Sequence, residues 1–428
     1  MSRGRREAGI GGGGWRLRRR RAADRAFRLA CAAAAVAAVA ALAGLLVSVA
    51  ARGWTAFYRH DVLLDIDFDP EVLDSRDPER LARADYASLW RRPLRELVPE
   101  AEGRTARREL YRLVSGGASF ILQDLVTRNP GLIGRTRRIA LPLASDADLV
   151  LKGRISRNAP ESDRALSDRQ LAWLDRLKRA GRIRTAFNGR LFTGGDSRMP
   201  EMAGILAALT GSFFTLAVTL LLAFPLGVAA AVYLEEFAPQ GRWWTDLVEI
   251  NINNLAAVPS IVYGLLGLAV FLDFLRLPRS APLVGGLVLA LMTLPTIVIA
   301  GRAAIRSVPR SIREAALGLG ATPMQVIQHH VLPAAMPGIL TGTIVGMARA
   351  LGESAPLLMI GMVAFVADVP RSPLDPATVL PVQIYLWADS PERGFVEKTS
   401  AAILVLMAFL LAMNGLAIHL RRRWEARR

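Results

Sequence analysis

Apolar residues gather into six runs that carry almost no charge: Leu29–Ala51, Ile205–Leu234, Leu255–Leu275, Leu283–Ala300, Ile339–Ala367 and Ser400–Leu420. Each is close to or above the roughly 20 residues that a helix needs to cross about 30 Å of hydrocarbon. The pattern predicts six membrane-spanning helices. Residues 52–204, between the first two runs, follow other periods. In Asp61–Asp69, Val62, Leu64, Ile66 and Phe68 alternate with polar positions that include Asp65, Asp67 and Asp69, which predicts a strand with one buried face. Ser167–Gln170 has capping-box form ahead of Leu171, Leu174 and Leu177, with Gly181 placed to end that helix. Asn188–Gly189, between Ile183–Phe187 and Arg190–Thr193, predicts a type I′ hairpin. The segment is expected to be a compact domain of mixed α and β structure, and no tandem repeat runs through the chain.

Charge orients the spans. The chain has 428 residues, 52% hydrophobic, and a formal charge of +17. Such an excess suits nucleic acid or a membrane surface, and its placement favours the membrane. Arg16, Arg18, Arg19, Arg20, Arg21, Arg25 and Arg28 precede the first run, and Arg421, Arg422, Arg423, Arg427 and Arg428 follow the last. Both termini are expected in the cytoplasm, with the lipid bilayer as partner and no nucleic acid. Threading six spans then puts 52–204, 276–282 and 368–399 outside and 235–254 and 301–338 inside. Arg302, Arg306, Arg310 and Arg313 agree with this, while Arg276 and Arg279 run against it. The first run is longer than the roughly 7–15-residue core of a secretory signal, so it reads as a retained anchor. The lone cysteine, Cys31, lies in that run, leaving the polar domain without a disulfide. The expected organisation is a basic tail (1–28) that begins with flexible Gly11–Gly14, a first helix (29–51), an outer domain (52–204), a five-helix core (205–420) and a basic tail (421–428).

Catalytic constellations are lacking. Gly9–Gly14 fits G-x-G-x-x-G formally, but neither a strand nor a βαβ unit surrounds it. With no P-loop lysine in place, the chain is not expected to hydrolyse ATP. The histidines are His60, His329, His330 and His419; the adjacent pair points to different sides of a helix and cannot chelate as an i, i+4 pair would. Asp65, Asp67 and Asp69 read as a solvated strand face rather than a cation site. No enzyme, resident cofactor or metal is expected.

Residues 311–337 between the fourth and fifth runs read as helix, turn and second helix. Glu314, Ala315 and Ala316 favour helix, Gly318 and Gly320 interrupt it, Thr322 caps the next segment with Pro323 at its first position, and Leu332–Pro333 is expected to end it. The result is a knob suited to a partner's groove. Glu-Ala-Ala-x-x-x-Gly followed after a gap by x-x-Leu-Pro resembles the E-A-A loop of ABC importer permeases. The match rests on Glu314, Ala315, Ala316, Gly320, Leu332 and Pro333, with His330 departing from the usual aliphatic residue. The resemblance implies that this loop docks on an ATPase subunit and passes its movement to the spans.

Arg349 and Glu353 are four residues apart in the fifth run, hence on one helical face, and both lie well within an otherwise apolar segment. Charges there are costly, so they pair or line an aqueous path, and the guanidinium fork suits an oxyanion. A neutralised pair holding helices together is the second possibility, compatible with the first. The stretch Ala348–Leu358, together with Tyr233–Pro239 and Asn253–Gly264, resembles phosphate permeases of the PstA type, over roughly 183–420. That resemblance maps Arg349 and Glu353 onto charged residues of the substrate path, while Pro259 and Ser260 stand at an expected helix discontinuity. It implies an all-α polytopic protein of the type I ABC importer permease fold, with six transmembrane helices and an α+β extracytoplasmic domain inserted after the first. It also implies a bacterial inner-membrane location and inorganic phosphate as substrate. The implied partners are a homologous phosphate permease, an ATPase dimer carrying ATP and Mg, and a periplasmic phosphate-binding protein. Rival expectations are a sulfate or molybdate permease, a membrane sensor and a membrane hydrolase; the last two lack an effector domain and a nucleophile–base arrangement.

Overall fold

The computed structural model describes residues 13–73, 78–158, 160–161, 164–239 and 241–425. They form two units, one ending at Arg52 and one beginning at Gly53. The first consists of a single helix, α1 (Gly13–Gly53), whose last residue already belongs to the second unit. Its 41 residues reach about 60 Å, about twice the hydrocarbon thickness. The arginine run expected as a flexible tail is thus helical from Gly13 onward, because Trp15–Arg28 consists largely of arginine and alanine and holds no proline or glycine. The start of the glycine-rich segment, through Gly12, and the end of the chain after Glu425 lie outside the described residues.

The second unit opens with a 3₁₀ turn (Trp54–Phe57) and β1 (Tyr58–Asp67). It continues through α2 (Pro78–Arg83), α3 (Tyr86–Leu97), α4 (Gly103–Tyr111), α5 (Ala118–Arg128), β2 (Thr136–Pro142), α6 (Ser145–Leu151), α7 (Asp168–Arg179), β3 (Ile183–Phe187) and one turn of helix, α8 (Arg190–Thr193). β1 lies between β2 and β3 in an antiparallel sheet, with Val62 opposite both Leu141 and Ile183. Val62, Leu64, Ile66 and Phe68 are fully buried with Trp90, Leu94, Leu122, Leu174 and Leu177 of the helices, as the alternation predicts. The aspartates each have a neighbour of their own. Asp65 accepts from Arg138 at 2.8 Å and Arg182 at 2.7 Å, and these guanidiniums hold its carboxyl down to about 2. Asp67 accepts from the Thr136 hydroxyl, and Asp69 accepts from the Glu71 amide.

Helix α7 begins with the capping box of Ser167 and Gln170. It ends in a Schellman motif: Gly181, at φ 66°, and Arg182 donate to the carbonyls of Lys178 and Leu177. The expected hairpin at Asn188–Gly189 does not form. Asn188 is buried, takes the Phe57 carbonyl with its amide and the Ala56 carbonyl with its side chain, and leads directly into α8. These long-range partners override the local turn preference.

Beyond this domain lie α9 (Leu206–Val232) with a terminal π-turn (Tyr233–Phe237), α10 (Trp243–Ala257), α11 (Ser260–Gly267) with a π-turn (Leu268–Phe274), and α12 (Pro282–Arg306). Then come α13 (Arg310–Gly318), α14 (Pro323–Val326), a π-turn (Ile327–Val331), α15 (Leu332–Gly352), α16 (Ala355–Met359), α17 (Leu380–Ala388) and α18 (Gly394–Glu425). Among the described residues, five helical stretches are long and apolar enough to cross a membrane, or six if the bent pair α10–α11 counts as one. α12 is central. Gly338, Gly342 and Gly346 of α15 face its Ala304, Ala300 and Thr293; an added Cβ would come within 2.7, 2.1 and 2.8 Å of them, so only glycine lets the two backbones approach.

Two expected spans are broken. Leu255–Leu275 divides between α10 and α11, whose stretches meet at 100°. Pro259 has no N–H to continue α10 and favours extended backbone at Val258, whose ψ is 132°. Ile339–Ala367 ends as helix at Gly352. Pro356 has no N–H to offer the Gly352 carbonyl, so the chain turns at Glu353 and restarts as α16.

Buried charges fasten the α+β domain to the first turn of α18. Lys152, with a side chain 1% exposed, lies 2.7 Å from both Asp148 and Glu397. Thr55 donates to the other Glu397 oxygen at 2.8 Å, and His60 Nδ1 lies 2.8 Å from Asp148. Burial alone would raise the Asp148 carboxyl, but His60 and Lys152 outweigh it and hold it below its ordinary value. Asp148 therefore stabilises the fold above the ordinary carboxylate range, near pH 4, and loses that contribution as pH falls through its depressed folded value. In thermal unfolding of the detergent-purified protein, Lys152→Met is expected to cost about 3–5 kcal/mol. The gap between wild type and Asp148→Asn should close as pH is lowered below 4; a gap that is constant with pH would refute the assignment.

Candidate functional site

The loop that joins α12 to α15 is built much as its residue types suggest. α13 ends in a second Schellman motif, in which Gly320, at φ 86°, and Ala321 donate to the carbonyls of Leu317 and Ala316. Thr322 and Gln325 then form a capping box with Pro323 in the first turn of α14. Leu332–Pro333 does not end the segment. The π-turn lets the Leu332 amide reach back to the Ile327 carbonyl, and the helix runs on through Pro333 into α15. Glu314, Ala315 and Gly320 are exposed, Ala316 is buried, and Leu332 and Pro333 are half-buried. Three apolar side chains missed in the sequence stand out around the turn: Leu317 and Met324 are about half exposed and Leu319 is 90% exposed. Helix-breaking glycines made the loop legible; the exposure of its leucines depends on tertiary packing.

At the base of this loop, charged residues from three other elements converge. The π-turn after α9 presents Glu235 and Glu236. Arg302 reaches Glu235 at 2.5 Å and Glu249 of α10 at 2.8 Å, and Arg306 takes the second Glu235 oxygen at 2.7 Å. Arg313 of α13 grips Glu236 at 2.7 Å and also donates to the Ile305 and Val308 carbonyls at the end of α12. A groove of about 340 Å³ runs beside these residues and is also lined by Arg310 and Glu314. The arginines were noted in the sequence only as an orientation signal. Their partners lie 53 to 77 residues away, although both inner segments could have been paired by charge.

The second candidate site lies at the far end of α15. Arg349 is in the last turn of the helix, about 25 Å along its axis from Leu332, while Glu353 lies just past its end with ψ 126°. The two are therefore not on one continuous helical face, yet the turn brings Arg349 Nε within 3.7 Å of a Glu353 oxygen. The Arg349 side chain is 53% exposed and that of Glu353 21%. Pro259 and Ser260 form the elbow between α10 and α11, where the Tyr263 hydroxyl donates to the Leu255 carbonyl freed by the break. The two breaks are neighbours: α11 packs on α16 with Gly264 so close to Pro356 that a Cβ there would lie 2.7 Å from its Cα. The structure thus brings Arg349 and Glu353 to the same region as the Pro259–Ser260 elbow, away from the coupling loop.

Residues 223–426 match the family model described as the binding-protein-dependent transport system inner membrane component, and residues 15–161 match one described as a domain of unknown function. The chain is 36% identical over 230 residues to the probable ABC transporter permease protein YqgH of Bacillus subtilis, covering 53% of this chain and 72% of that one. It is 32% identical over 224 residues to the phosphate transport system permease protein PstA of Haemophilus influenzae, covering 52% and 78%. To the phosphate transport system permease protein PstA 1 of Mycobacterium tuberculosis it is 34% identical over 225 residues, covering 52% and 72%. The chain belongs to the binding-protein-dependent transport system inner membrane component family, as a multi-pass permease subunit of an ABC importer and not an enzyme.

Proposed function

We propose that the protein is the phosphate-conducting permease of a type I importer, with six spans, both termini in the cytoplasm and the α+β domain on the outer side. It pairs with a homologous permease, receives phosphate from a periplasmic binding protein, and is driven by an ATPase dimer that holds the Glu314–Pro333 loop. The observation that carries the reading is the half-exposed Arg349 at the end of an otherwise apolar helix. A guanidinium facing lipid is costly, so its open side belongs toward a partner or an aqueous path. There its planar donors suit an oxyanion, with Glu353 and the Pro259–Ser260 elbow beside it. The relatives named for phosphate transport support phosphate as that anion.

In cells that depend on this protein, Arg349→Gln and Glu353→Gln are each expected to cut uptake of labelled phosphate by tenfold or more, about the value of one lost charge-assisted hydrogen bond. Normal uptake in both variants would remove the pair from the path, and competition by sulfate or molybdate as strong as that by phosphate would reassign the substrate. For the loop, Gly320→Asp forces a side chain onto a backbone at φ 86°, a strain of about 1–3 kcal/mol, and adds charge to the apolar tip. The ATPase subunit should co-purify with wild type and be lost from this variant; its retention would place docking elsewhere.

A further inference from the structure

The charges at the base of the coupling loop form two adjoining groups, Arg313 with Glu236 and Arg302 and Arg306 with Glu235 and Glu249, joined through the neighbouring residues Glu235 and Glu236. Three arginines and three glutamates balance, so the assembly is neutral as a whole. Its centre is sheltered, with the side chains of Glu235, Arg302, Glu236 and Arg313 6, 11, 14 and 22% exposed, while Arg306 and Glu249 at its edge are 61 and 40% exposed. Pairs so placed are held more tightly than surface pairs, and removing one member leaves an uncompensated charge. The connectivity is directional. Arg313 sits beside Glu314 on α13 and ties it to the last carbonyls of α12 and to Glu236. Glu235, the adjacent residue, is clasped through both oxygens by Arg302 and Arg306, one turn apart on α12. Arg302 then carries the link to Glu249 on α10. Glu235 and Glu236 project from a π-turn, whose widened backbone lets adjacent residues reach different partners.

We infer that Arg313 and Glu236, backed by Glu235, Arg302, Arg306 and Glu249, are positioning residues that lock the coupling loop to the inner ends of α9 and α12 and, through Glu249, to the middle of α10, so that a push on α13 moves these three helices together. The inference rests on the importer reading for its purpose but not for its geometry. The apolar contacts of α13, centred on Ala316 in the cluster with Ile305, Val308 and Ile339, hold it in place without setting direction. The guanidinium of Arg313 supplies that direction, because its planar donors fix two helix ends at once.

The test uses the full chain with Cys31→Ser and spin labels at Ser311→Cys on α13 and Phe237→Cys at the end of α9, both exposed positions. A single narrow distance distribution is expected with Arg313 and Glu236 intact. A broad one is expected in Arg313→Gln and in Glu236→Gln, measured at a temperature where each variant is still folded by its own cooperative melting curve. In cells the same two variants should lower phosphate uptake at least about fivefold at equal membrane abundance. Arg313→Lys, which keeps the charge but not the planar fork, should restore part of the narrowing and of the uptake. Narrow distributions in both single variants would overturn the inference, as would an Arg313→Lys variant no better than Arg313→Gln. The distance measurement needs neither phosphate nor partner, so a wild type that moves no phosphate would defeat the substrate assignment and leave the lock standing.

Discussion

A helix interrupted inside hydrocarbon exposes backbone groups that no solvent can satisfy, and this constraint governs how the core of the protein is arranged. The chain interrupts its helices twice, at Pro259 and at Glu353, and sets the two breaks against each other through Gly264 and Pro356. The Tyr263 hydroxyl takes up the Leu255 carbonyl freed at the first break. The second break carries the charged pair Arg349 and Glu353. Irregular backbone within a membrane is tolerated where protein or an aqueous cavity covers it, which supports the proposal that the breaks and the charge lie together on the substrate path.

α15 connects that region to the 311–337 loop, the proposed docking point of the ATPase. It starts at the loop's π-turn, runs past α12 on a ridge of glycines four residues apart, and ends at Arg349. Close backbone packing makes the pair of helices stiff, and the charges at its base tie α12 of that pair to α13. The α+β domain is joined to the core at another place, the first turn of α18, through the buried Lys152 and Glu397. Thus the loop and the domain grip different helices.

What could be read from residues alone was mostly local. The alternation of Val62 to Phe68, the capping box at Ser167, the cap at Thr322, and the helix-ending Gly181 and Gly320 all act within a few residues, and each took its expected form. Asn188–Gly189 failed because Ala56 and Phe57, far off in sequence, claimed the asparagine. Apolar content located the third and fifth spans; the discontinuity at Pro259–Ser260 was legible from the proline and took its expected place, whereas the break at Glu353 was not read, because Pro356 acts on the Gly352 carbonyl one turn back. Pro333 erred in the other direction, because a π-turn absorbed the missing bond. Arg349 and Glu353 were found by their rarity among apolar neighbours, whereas Glu235, Glu236 and Glu249 were hidden among ordinary loop charges until the fold brought arginines to them.

The claim on which this account turns is that the 311–337 loop faces the cytoplasm. It is tested by placing a single cysteine at Leu319, the most exposed of the large apolar side chains at the turn, in a Cys31→Ser background and treating intact cells with a membrane-impermeant thiol reagent. The account predicts no labelling until the cells are opened, and labelling thereafter. Reaction in intact cells would put the loop on the outer face and contradict it.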